Sequence, residues 1–186
     1  MTPKNIIISL FLIITIGLAA WTTLSYHSPT LVTTNTEQPD AYMENVSATI
    51  MNKQGKVELK IMTPKMTHYA KNNSSDFIEP QLTIFRNSSQ PWYISSQYAK
   101  AMNGTEILHF WDNVIIHHAA DQNTSAMVIK TSTLNVYPDK KTAETDAAIS
   151  MSQPNLVVHG IGMFADINAG DIKLLSNARG EYVPNP

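Results

Sequence analysis

Alternation with a period of two, recurring in short pieces along most of the chain, limits what this sequence can fold into. Val57, Leu59 and Ile61 fall on one side of an extended segment, and Lys56, Glu58 and Lys60 fall on the other. Successive strand side chains point to opposite faces, so this is a half-buried strand, apolar on one face and charged on the other. Gln54-Gly55 makes the turn into it from Val46–Met51, and Pro64 is expected to end it. Similar pieces are Gln81–Arg86, Trp92–Ser96, Tyr98–Met102, Thr105–Trp111 and Val114–His118. Asn103-Gly104 is a two-residue hairpin signal, and Asp112-Asn113 is expected to separate the strands beside it. Met127–Tyr137 stops at Pro138-Asp139, and Thr142–Met151 stops before Pro154. Ala143, Glu144, Ala147 and Ala148 would also suit a helix over Thr142–Ile149. Leu156–Ile167 and Ile172–Val183 close the pattern, with Ala169-Gly170 as the turn between them. Many strand-sized pieces with no 3.6-residue stripe predict an all-β sandwich, barrel or jelly roll.

Ahead of these strands lies Ile6–Leu24, an uncharged apolar run of 19 residues. As a helix it would reach roughly 28 Å, close to the hydrocarbon thickness of a bilayer. Lys4 is the only charged side chain before it, and the next is Glu37. A positive short flank stays cytoplasmic, so residues 1–5 are expected inside and everything after Leu24 outside. The alternative is a secretory signal with a small-x-small site at Gly17-Leu18-Ala19. Trp21 and the apolar residues up to Leu24 favour a retained anchor. Residues 25–40, rich in Ser, Thr, Pro, Asn and Gln, read as a linker to a domain over 41–183, with 184–186 as a tail.

Net charge is −2, with 13 Lys and Arg against 15 Asp and Glu, which gives no electrostatic footprint for nucleic acid. With no cysteine, the domain is stabilised by packing and hydrogen bonds alone, and thiol chemistry and lipidation at cysteine are excluded. The six histidines show no chelating spacing. His117 and His118 point to opposite faces of one strand, so no metal or other cofactor is expected. No nucleophile elbow or phosphate loop is present. Asp166 and Asp171 flank a turn, where Asp usually serves local hydrogen bonds. The Asn-x-Ser/Thr triplets at Asn45, Asn73, Asn87, Asn103 and Asn123 would suggest glycosylation in a eukaryotic secreted protein, and otherwise read as what an Asn-, Ser- and Thr-rich chain produces by chance. No enzyme is expected. An adaptable, Met-containing apolar interior is left as the feature that would receive a ligand.

Several ordered segments carry a resemblance. They are DAYMENVSATIMNKQGKVELKIMTPKMTHY, Phe77-x-x-Pro80, Trp92 after a Pro-containing loop, TSTLNVYPDKKTAETD and VVHGIGMFADINAGDIKLLSNARGEY. In this order and spacing the chain resembles the LptC family, the single-pass inner-membrane component of lipopolysaccharide export in Gram-negative bacteria. The resemblance implies a twisted β-jelly roll of the kind shared with LptA, standing in the periplasm behind one transmembrane helix. It also implies the partners: the LptB-LptF-LptG ABC transporter, which supplies lipopolysaccharide, and the bridge protein LptA, which receives it.

Carried over by position, the lipid-facing sites implied are Ser47, Phe77, Ile172 and Tyr182. Alternation adds Leu59, Ile61, Leu82, Ile84 and Phe110 as lining or core positions. The edge implied for LptA is Ile172–Val183, including Leu174, Tyr182 and Val183. Gly160, Gly162 and Met163 match a Gly-containing segment where a bulge or a close backbone approach is expected. The rival expectation is a tethered β-domain that bridges proteins without holding lipid.

Overall fold

The computed structural model describes residues 38–86, 90–121 and 125–182. The apolar run Ile6–Leu24, most of the linker, Val183 and the tail lie outside the described residues. Eleven strands follow in order: β1 (Ala41–Met51), β2 (Val57–Tyr69), β3 (Ser74–Ile78), β4 (Gln81–Ile84), β5 (Trp92–Ser95), β6 (Tyr98–Met102), β7 (Ile107–His118), β8 (Met127–Tyr137), β9 (Thr142–Gln153), β10 (Leu156–Asp166) and β11 (Asp171–Tyr182). Among the described residues the only helical piece is the 3-10 turn Ala70–Asn72, and no helix is long and apolar enough to cross a membrane.

All pairings are antiparallel and join one sheet, with β1 and β11 at its ends. Two tiers bridge β2 to β7. The first half of β2 pairs with β4, which pairs with β5, and β5 pairs with the second half of β7. The second half of β2 pairs with β3, then β6, then the first half of β7. The sheet rolls back so that β10–β11 cover β4–β5. Ile84, Ile94, Met163 and Ile172 therefore line one cavity, although β4 and β11 are far apart in strand order.

Pro64 does not end its strand. It sits where β2 changes neighbour, between Met62, paired with Gln81 of β4, and Lys65, paired with Ile78 of β3. A proline lacks the N–H a ladder needs, and that position is where a ladder is interrupted anyway. Asp112-Asn113 likewise does not divide two strands. Both residues have positive φ, 59° and 55°, and form a bulge inside a continuous β7, where the register shifts between Trp111 and Val114. Asn103-Gly104 does begin a hairpin turn, but Met102 pairs with Ile107, so the loop is four residues long and Thr105 and Glu106 belong to it. Residues 142–149 are strand rather than helix, because β9 is held between β8 and β10. The linker ends before Asp40, whose N–H donates to the His68 carbonyl at 3.1 Å.

These bulges bend long strands. The inward side switches phase part-way along, from Ile129 and Thr131 to Leu134 and Val136 in β8. At three of the irregularities a buried threonine meets a freed backbone polar group. Thr63 donates to the Ile78 carbonyl (2.6 Å) and Thr131 to the Ala148 carbonyl (3.1 Å), while Thr145 accepts the Ala147 N–H (3.1 Å). Gly160, Gly162 and Met163 lie at such a place. The β10 register shifts between His159 and Ile161 on one side and between Ile161 and Met163 on the other, and Gly162 has φ of 75°.

Candidate functional site: an apolar interior with two open rims

One inward row crosses the sheet from Ile50 through Leu59, Ile84 and Trp92 to His118. A second runs from Ala48 through Ile61, Leu82, Ile94 and Ile116 to Ile129. A third, on the other tier, joins Met66, Phe77, Ala99, Phe110 and Leu134. Most of these side chains are buried, Phe110 completely. Burying each large aliphatic or aromatic side chain contributes about 1.5–3 kcal/mol. Leu59, Ile61, Leu82, Ile84, Phe77 and Phe110 are thus core packing as the chain stands.

At the two ends of the sheet the same inner face opens. Ile50 stands opposite buried Leu59 yet is exposed, with Met43 and Met51 along the same strand. At the other end Tyr182, opposite Leu156, is 71% exposed. Among the described residues both terminal strands also have one edge without a strand partner, which lets another strand add to the sheet. Ile172 and Leu174 are partly buried against the core at this rim. Ser47 is placed elsewhere. It pairs with Met62 and shares that residue's outward side, in a surface groove with Pro64, Glu79 and Gln81.

Between the covering strands lies the cavity bounded by Ile84, Trp92, Ile129, Met163, Ile167 and Ile172, all apolar. Only about 20 Å³ of it is wide enough to seat a water molecule, room for a single one. An acyl chain enters only if the covering strands move apart.

The end of this cavity carries a buried polar cluster with no sequence signature. The Arg86 and Asp121 side chains are 5% and 7% exposed and 3.5 Å apart. Arg86 Nη2 donates to His118 Nε2 at 3.1 Å, which fixes His118 as the tautomer protonated on Nδ1. Burial, and then the Arg86 charge, hold the His118 pKa below its ordinary value. Arg86 Nη1 reaches the Ile167 carbonyl at 3.4 Å and so ties β4 to the β10–β11 turn. Only the inward alternation Val114, Ile116, His118 was visible in the sequence; the approach of Arg86 and Asp121 is tertiary. Asp166 is a turn residue, its Oδ1 accepting the Ala169 N–H at 2.9 Å. No group of three metal-ligating side chains occurs among the described residues.

The fold is that of a rolled antiparallel sheet with an apolar interior. It is similar to a solved structure described as LptH, the LptA homologous periplasmic component of the conserved lipopolysaccharide transport device from Pseudomonas aeruginosa. The likeness has a TM-score of 0.52 at 8% identity, over 69% of this chain and 95% of that one. The family described as lipopolysaccharide-assembly, LptC-related, matches residues 6–183, and the chain belongs to that LptC family. No curated sequence matches the chain.

Proposed function

We propose that this chain is the membrane-anchored relay of lipopolysaccharide export. It takes the lipid from the LptB-LptF-LptG ABC transporter and hands it to LptA. Family membership over residues 6–183 supports a role in lipopolysaccharide transport. The observation that carries the relay is the inward apolar surface, which is buried at its centre and exposed at both rims, at Ile50 and at Tyr182. Each exposed methylene of a lipid tail costs about 0.8 kcal/mol in water, so a surface of this kind shields tails in transit. In this reading Ile6–Leu24 is a transmembrane anchor, the amino terminus is cytoplasmic and the β-domain is periplasmic. The chain performs no chemistry of its own, and ATP hydrolysis in the transporter drives the transfer. The free edge of β11 would take the LptA strand.

The test measures lipopolysaccharide binding to the full chain in detergent, with Ile172→Glu and Tyr182→Glu compared by circular dichroism for fold. A tenfold or greater loss in both folded variants is expected. Unchanged binding in both would refute an interior path. The narrow cavity favours a second reading, a protein bridge without bound lipid, in which proline substitution in β11 abolishes partner binding while lipid binding is absent from the start.

A further inference from the structure

Four turns converge at the end of the sheet beside the apolar cavity and enclose a polar cleft of about 230 Å³. Asn52 and Lys56 come from the β1–β2 turn, Phe85 and Arg86 from the end of β4, Lys141 from the β8–β9 turn and Asn168 from the β10–β11 turn. Main-chain hydrogen bonds hold these walls: Phe85 N–H to the Glu58 carbonyl at 2.9 Å, and Ile167 N–H to the Lys141 carbonyl at 2.8 Å. The Asn52 side chain accepts the Lys56 N–H at 3.0 Å.

Three cations line the cleft against one carboxylate. Lys141 pairs with Glu58, and Arg86 is matched from behind by Asp121. Lys56 is exposed and makes no ion pair among the described residues. Arg86 Nε is buried and has no acceptor among them. A buried guanidinium N–H without a partner loses the hydrogen bond it would make to water. An anion in the cleft would meet the Lys56 charge, which no carboxylate among the described residues offsets.

The cleft and the cavity share a wall. Ile84 faces the cavity two residues before Arg86, and Ile167 faces it one residue before Asn168. The contact from Arg86 to the Ile167 carbonyl lies between them. Gly170 leaves room for that guanidinium, since a Cβ there would lie 2.4 Å from Nη1.

We propose that this cleft is a phosphate site, taking the phosphoryl group of an amphiphile whose acyl chain enters the adjoining cavity past Arg86. This rests on the reading that the interior receives acyl chains. Arginine and lysine side chains suit a phosphate through charge-assisted hydrogen bonds.

The test compares lipopolysaccharide, the same lipopolysaccharide after enzymatic removal of its phosphates, and inorganic phosphate, each bound to the full chain in detergent. The variants are Lys56→Gln, which touches no ion pair, and Lys56→Gln with Lys141→Gln. The wild type should bind the phosphorylated lipid at least tenfold more tightly than the dephosphorylated one. Lys56→Gln should reduce that ratio about threefold, and the double variant should abolish it while binding of the dephosphorylated lipid stays unchanged. Equal binding of both lipids to the wild type, or a ratio untouched by either variant, overturns the phosphate site and leaves the interior path standing. Saturation by inorganic phosphate with no preference between the lipids assigns the cleft to a free anion and overturns the amphiphile. Failure of both lipids to bind overturns the interior path and this site together.

Discussion

Phe77 separates packing from binding. Its side chain is 6% exposed and is flanked across the sheet by Met66 of β2 and Ala99 of β6. Ala99 is too small to fill the space that truncation would leave, and the next inward neighbour, Phe110, is already fully buried. Phe77→Ala should therefore cost roughly 3–5 kcal/mol, the range for truncating a buried aromatic. Against a typical total of about 5–15 kcal/mol, that removes a large share of stability. At roughly 2–4 °C per kcal/mol for a domain of this size, the midpoint should fall by about 6–20 °C. Tyr182→Ala, at a position 71% exposed, should change stability by less than about 0.5 kcal/mol. Urea titration followed by tryptophan fluorescence, with thermal unfolding by circular dichroism, measures both. A Phe77→Ala variant within 1 kcal/mol of wild type would refute the packing of the inner face. If the expected loss appears, lipid assays on Phe77 variants must be run well below the lowered midpoint, and Tyr182 becomes the cleaner probe.

The neutral, buried His118 makes stability depend on pH. Its pKa lies below the ordinary 6.5, so the unfolded chain takes up the proton first. Stability is complete above that value and falls as pH drops through it. The charged and titratable groups around it are Arg86, Asp121 and His117, and His118→Gln should flatten urea midpoints measured between pH 7.5 and 5. Thr145→Val should cost about 1–3 kcal/mol by leaving the Ala147 N–H at the β9 bulge unmet, read as a shifted urea midpoint with an unchanged slope. Gly162→Ala should cost at least about 1–2 kcal/mol, because φ is 75° and a Cβ would lie 3.0 Å from the Leu175 side chain. Gly55→Ala has comparable φ but open space around it and should cost less.

Strand existence was readable because alternation is local. Met127–Tyr137 and Tyr98–Met102 were delimited to the residue, and β2, β4 and β5 began where Gln54-Gly55, Pro80 and Pro91 placed them. The failures share a physical cause. Pro64, Asp112-Asn113 and the Ala-containing start of β9 all look like breaks or helix when only neighbours in sequence are considered. Each is instead a place where the sheet changes partner or bends, which depends on how the neighbouring strands pair. The strand β3 was missed because its Ser-rich sequence has no apolar alternation; it is held by β2 and β6 on both sides. One signal was available but weak. Five asparagines, at 45, 73, 103, 113 and 177, have positive φ, a conformation asparagine tolerates better than most residues. At these five positions asparagine marks a turn or bend. Of the site, the inward residues were legible by parity, whereas the outward placement of Ser47 and the Arg86 cluster depended on register and on the folding back of the sheet.

Site-specific photocrosslinking in membranes containing the transporter tests the relay most directly. A crosslinker replaces Ile172 at the cavity, Tyr182 at the rim, or Tyr93, which is 43% exposed on the outward face of β5. Lipopolysaccharide adducts that depend on ATP at Ile172 and Tyr182, with none at Tyr93, are the predicted result. Adducts absent from Ile172 and Tyr182, with the domain folded and the transporter hydrolysing ATP, would contradict passage through the interior.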